Sequence, residues 1–175
     1  MRRRACTAIA LALVGGLLAS FAMVGGAAAG GSDHRLHANL KGENEVPGPG
    51  APGGASGFAT VEVKPQRGMV CFSLRWEDIA SPTAAHIHYG GPDVAGPVVV
   101  GLFASSAAPD QPPTLPDTIT GVKGCSDQVV LPPEGSDTAT RLLQDIKRNP
   151  HEYYVNIHNI DFPAGAIRGQ LAAPH

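Results

Sequence analysis

Met69-Val70-Cys71-Phe72-Ser73-Leu74-Arg75-Trp76 carries a large apolar residue at every second position from Val70 onward. Successive side chains of a strand point to opposite faces, so Val70, Phe72, Leu74 and Trp76 face a core while Cys71, Ser73 and Arg75 face away. The same period continues on either side. Residues 34–41 place Leu36, Ala38 and Leu40 on one face, and residues 58–64 do so with Ala59, Val61 and Val63. Further along, residues 85–89, 97–103, 127–131, 152–158 and 166–172 read as strands. Eight or so short strands between turn signals predict an all-β fold, an antiparallel β-sandwich or Greek-key barrel. A Gly/Pro loop at 47–57 and a Ser/Ala/Pro loop at 104–116 separate them. One short connecting helix is expected, capped by Asp137, with Leu142, Leu143 and Ile146 on one face and Pro150 stopping it.

Composition agrees. The chain has 175 residues, enough for one domain, and neither an internal repeat nor a second domain is visible. Its 22 glycines and 16 prolines exclude coiled coils, helical bundles and helical repeats. A formal net charge of -2 without a basic block gives no reason to expect nucleic acid as a partner.

Arg2, Arg3 and Arg4 precede an uncharged apolar run over 8–24, and Ala27-Ala28-Ala29 offers a processing site. Residues 1–29 therefore read as a signal peptide cut after Ala29, leaving a single domain over 30–175 with no stable membrane span. Retention of the run as an anchor is the alternative. Cys6 leaves with the signal. The remaining pair, Cys71 and Cys125, reads as one structural disulfide in an oxidising, secreted or extracytoplasmic setting. Closing a loop of about 55 residues is worth about 4 kcal/mol by chain entropy.

Two strands hold the chemistry. In Ala85-His86-Ile87-His88-Tyr89, His86 and His88 share a face opposite Ile87. In Tyr154-Val155-Asn156-Ile157-His158-Asn159, burial of Val155 and Ile157 puts Asn156 and His158 on the other face. If the strands are neighbours, His86, His88 and His158 gather on one outer patch. Three neutral imidazoles with an open position suit copper or zinc, and affinity is then expected to fall through the histidine range near ~6.5. Asp93 or Asp161 is available as a supporting carboxylate. The competing reading is that these histidines hydrogen-bond loop backbone and fix the Gly-rich turn after Tyr89. A cut after Gly31 would instead make Ser32-Asp33-His34 a copper(II)-chelating terminus.

Catalytic patterns are missing: there is no Gly-x-Ser-x-Gly elbow, HExxH helix, phosphate-cradling loop or EF-hand loop. Nothing in the sequence selects Ser73, His158 and Asp161 as a triad. Glu43 and Glu45 read as a solvated turn or as partners for Arg168. Strand alternation puts Arg168 and Gln170 opposite Ile167, Gly169 and Leu171. Arg168 is thus expected to be structural, paired with Glu45 or Asp161, its replacement by Met lowering thermal stability and leaving any metal affinity nearly unchanged.

Asn44-Glu45-Val46-Pro47 with Ala55-Ser56-Gly57, then Ala85-His86-Ile87-His88-Tyr89-Gly90 with Gly96-Pro97-Val98-Val99-Val100, then Tyr154-Val155-Asn156-Ile157-His158-Asn159, and finally Pro163-Ala164-Gly165-Ala166-Ile167-Arg168-Gly169-Gln170-Leu171 resemble the CHRD (chordin) domain family. The four motifs run in order over about 36–171. The resemblance implies an extracellular β-sandwich or immunoglobulin-like barrel distantly similar to Cu/Zn superoxide dismutase. It implies no agreed activity. The short single-domain form with its Ala/Gly-rich leader looks like the bacterial secreted members. No cysteine-rich module accompanies the domain, so the growth-factor binding of chordin does not carry over. The dismutase likeness reaches only His86, His88 and, loosely, His158, and its zinc loop is missing.

The expected function is therefore an exported, non-enzymatic binding module for an extracellular or cell-surface partner, with a candidate copper or zinc site. The alternatives are a metal-free interaction domain and a small dismutase-like redox protein.

Overall fold

A computed structural model describes residues 35–104, 115–116, 118–130 and 138–174, all within one compact unit, Ser32–His175. The expected signal segment and its cut, Cys6, His34, residues 105–114 of the Ser/Ala/Pro loop, Leu131 and Asp137 lie outside the described residues.

Among the described residues, an eight-stranded antiparallel sheet curls into a nearly closed barrel, with one α-helix. The strands are β1 (Arg35–Lys41), β2 (Ser56–Lys64), β3 (Met69–Glu77), β4 (Pro82–Tyr89), β5 (Val98–Ala104), β6 (Gly121–Ser126), β7 (Tyr153–Asn159) and β8 (Ile167–Gln170). Their order is β5-β4-β7-β8-β1-β2-β3-β6. The two edges approach each other through the residues after β6: Gly101 N donates to Gln128 O at 2.8 Å and Val130 N to Val99 O at 2.8 Å. The first and last strands are neighbours, and a backbone bond from His37 N to Ala172 O at 2.9 Å extends that seam.

The alternation read from 70–76 holds. Val70, Phe72, Leu74 and Trp76 are buried, as are Ala59, Val61 and Val63 beside them and Leu36, Ala38 and Leu40 beyond. Each large apolar side chain taken fully from water contributes about 1.5–3 kcal/mol, so these stripes carry the barrel.

Two local expectations are corrected. Of the expected strand at 127–131, the described residues 127–130 do not form one; Val129 makes only an isolated bridge to Val100, and the strand is β6. Gly121-Val122-Lys123-Gly124-Cys125-Ser126 lacks the β-branched density that signals a strand. Pairing with β3 holds it, with Gly124 opposite Phe72 and Cys125 opposite Cys71. Those two cysteines are joined by a disulfide across the ladder. The helix α1 (Ala139–Arg148) is capped by Thr138, whose hydroxyl accepts from Arg141 N at 3.2 Å. Its buried face is Leu142, Leu143 and Ile146, as the spacing predicts. Asp145 on the same helix accepts a bond from Tyr153 Oη at 2.6 Å, tying α1 to the start of β7. No helix among the described residues is long and apolar enough to cross a membrane.

What positions the site is β7. It is buried along its whole length and on both faces, because core lies on one side and loops fold over the other.

Candidate metal centre

β4 lies between β5 and β7, and its register with β7 sets the centre. Ile87 pairs with Val155, His86 with Asn156, His88 with Tyr154 and Ala84 with His158. Ile87, Val155 and Ile157 are wholly buried in the core. His86, His88 and His158 therefore share the opposite face, and one ring nitrogen from each lies within 4.8 Å of the other two. The face is not an outer patch, however. His88 is 8% exposed, His158 is 9% exposed and His86 is half-buried. The segment 90–97 and the turn at 162–165 reach over the strand ends: His88 Nδ1 bonds Gly96 O at 2.9 Å and His158 Nδ1 bonds Pro163 O at 3.1 Å.

Those two carbonyls settle where the protons are. A carbonyl oxygen only accepts, so both Nδ1 atoms carry hydrogen and both Nε2 atoms are bare lone pairs. His88 Nε2 is buried with no hydrogen-bond partner. His158 Nε2 faces His86 Nδ1 at 3.1 Å, so without an ion His86 donates its Nδ1 hydrogen to it. An imidazole whose second nitrogen is anchored to a carbonyl is the usual form of a metal-ligating histidine. The His86 Nδ1–His158 Nε2 separation of 3.1 Å is close to the roughly 3.3 Å between two ligands of a tetrahedral ion with bonds of about 2.0–2.1 Å. The three residues could hold a metal ion, and the two carbonyls leave His88 Nε2 and His158 Nε2 as bare nitrogens beside His86 Nδ1. Were an ion held through His86 Nδ1, the His86 hydrogen would stand on Nε2 instead.

Burial pushes all three imidazoles toward the neutral, ligand-ready form. His86 falls to about 4, first through desolvation and then through its two histidine neighbours. Desolvation also lowers His88, with His158 and Arg168 adding to it and the Gly96 bond opposing. His158 is lowered by desolvation against the Pro163 bond. The ordinary histidine range near ~6.5 therefore does not describe this cluster. The supporting acceptors are carbonyls; Asp93 and Asp161 are both exposed.

Beside the histidines stands a layered group that strand periodicity does not reveal. The His88 ring stacks on Tyr154 at 4.8 Å and 12°, and the Arg168 guanidinium carbon sits 3.5 Å from the centre of the Tyr154 ring. Arg168 is 1% exposed. It makes no ion pair with Glu45 or Asp161, contrary to expectation. Its donors go to Val94 O at 3.1 Å and Gly91 O at 3.0 Å. Glu45 is not a solvated turn residue either: it is buried, and its Oε2 accepts from Asn156 Nδ2 at 3.4 Å. Burial raises its carboxyl to about 7, against the pull of Arg168 and Asn156. Glycine makes the room, since Gly165, at φ 151°, has Glu45 Oε2 where a Cβ would stand. Glu45 Oε1 and Asn156 Oδ1 are buried without partners. Glu43 of that turn is exposed and pairs with Lys41 at 2.9 Å.

Other sequence-level groupings are not brought together. Ser73 lies on β3, four strands from β7, and pairs with Thr60 and Lys123. His37 stacks on Phe58 at 5.5 Å, away from the cluster.

A small antiparallel barrel with a covered three-histidine face is the class that this fold and site define. The chain belongs to the CHRD domain family, whose family model matches residues 36–171. No curated protein and no solved structure matches it.

Proposed function

We propose that the chain is an exported, non-enzymatic binding module whose His86, His88 and His158 hold a copper or zinc ion. One observation carries the reading: three ring nitrogens converge, and two of the rings are locked by carbonyls into the tautomer that bares the converging atom. An extracytoplasmic setting is supported by the Cys71–Cys125 disulfide and by the charged-then-apolar leader. The ion would supply Lewis acidity or an open ligand position there. The chain's own residues orient the ligands, exclude water around them and keep them uncharged.

A second reading is a metal-free interaction domain. The bonds from His88 to Gly96 and from His158 to Pro163 favour it, because they brace two loops without any ion. Calorimetric titration of untagged protein with copper(II) and zinc(II) separates the two readings. Saturable one-to-one binding that disappears in His86→Ala, His88→Ala and His158→Ala supports the metal reading. Equal, weak binding in all four proteins leaves only the bracing role. Turnover of superoxide or peroxide by loaded protein would replace the non-enzymatic reading with the redox alternative.

A further inference from the structure

Arg168 is a buried cation that makes no ion pair with a carboxylate, and it lies on the face of β8 opposite the core residue Ile167. Burying such a charge is costly unless its donors are met. Its contacts suggest what it is for. Nη1 donates to Val94 O and Nη2 to Gly91 O, so one planar fork grips the segment 90–97 at two places. Gln170, its neighbour on the same face of β8, donates to Gly90 O at 3.0 Å. The gripped segment ends at Gly96, whose carbonyl takes the Nδ1 hydrogen of His88 and whose N–H donates to Tyr154 Oη at 3.1 Å. Tyr154 in turn lies between Arg168 and the His88 ring, so the contacts close on themselves.

We infer that Arg168 is a positioning residue for the metal centre: by holding the 90–97 segment it places the Gly96 carbonyl on His88 Nδ1 and so bares His88 Nε2 toward the ion. This rests on the metal reading above and departs from the expectation that Arg168 leaves metal affinity untouched. The grip needs both carbonyls at once, which a fork of five fixed donors provides and a single ammonium does not. His158 is oriented separately, by Pro163, and serves as an internal reference.

The test reads tautomers in metal-free, nitrogen-15-labelled protein by long-range nitrogen–proton correlation, then zinc(II) affinity by calorimetry. Wild-type protein shows His88 and His158 protonated at Nδ1. In Arg168→Met, His88 gains an Nε2-protonated population while His158 does not change, and zinc affinity falls about ten- to a hundredfold. Arg168→Gln is read the same way if the Met variant does not fold. A folded variant with the wild-type His88 tautomer and wild-type affinity overturns the inference and leaves Arg168 a stabilising residue. Wild-type His88 protonated at Nε2 overturns it without any variant. If wild-type protein binds no zinc or copper but the His88 tautomer still follows Arg168, the positioning link stands and the metal reading fails.

Discussion

His86 Nδ1 and His158 Nε2 face each other at 3.1 Å across β4 and β7, joined by one hydrogen bond. Strand register brings both rings to one face, yet each is held in a place that disfavours its own charge.

The sign of the resulting pH effect follows. His86 binds its proton less tightly in the folded chain, at about 4, than in an unfolded one near ~6.5. Its contribution to stability is thus complete above 6.5 and is lost as pH falls through that window toward 4. In metal-free protein, the His86 ring signals should stay those of a neutral imidazole at pH 5.5. Ordinary titration near 6.5 in the NMR spectrum would contradict the described burial.

Glu45 runs the other way. Its folded carboxyl is raised to about 7 from 4.5, so the stability tied to it is complete below 4.5 and is lost as pH rises through 7. Arg168 and Asn156 pull toward the charged form, but desolvation outweighs them. Glu45→Gln should therefore gain on wild type between pH 4.5 and 8, by on the order of 3 kcal/mol in total. Urea midpoints across that range check it, and a constant difference would sink the prediction.

Cys71 and Cys125 span 54 residues of sequence. Unfolded but unreduced protein should show neither thiol to a titrating reagent. The paired change Cys71→Ser with Cys125→Ser should lower stability by about 4 kcal/mol by loop entropy, measured by denaturant unfolding.

Gly96 and Gly91 lie in one segment but tolerate a side chain differently. A Cβ on Gly96 would run into the Tyr89 carbonyl, whereas nothing stands within 4 Å of one on Gly91. Gly96→Ala should lower both melting temperature and zinc affinity, while Gly91→Ala should stay close to wild type in both. Matching effects in the two variants would show that the Gly96 carbonyl does not set the centre.

Most of the barrel was legible because its core strands alternate strictly, and the His86/His88/His158 face was legible for the same reason: period two fixes the side before any partner is known. The strand β6 was not, since pairing with β3 and the disulfide hold it, not its own propensity. The helix cap shifted by one position, from Asp137 to Thr138, a distinction that local sequence leaves open between two good capping residues. Burial of Glu45 and the grip of Arg168 on carbonyls were missed for a different reason. Both depend on loops returning from far along the chain: Gly165 beside Glu45, and Gly91 and Val94 beside Arg168. Strand periodicity says which side a residue faces, but nothing about what later folds over that side.

The bond between His37 and Ala172 places the barrel's way in and its way out on adjacent strands, roughly 4.8 Å apart. A longer polypeptide could break off at any surface turn, run through this whole unit and resume almost where it stopped. The same adjacency lets the ends be joined and new ones opened elsewhere on the barrel. As a building block it is a bead hung from one point, free to be repeated along a thread or set into a host without prying that host apart.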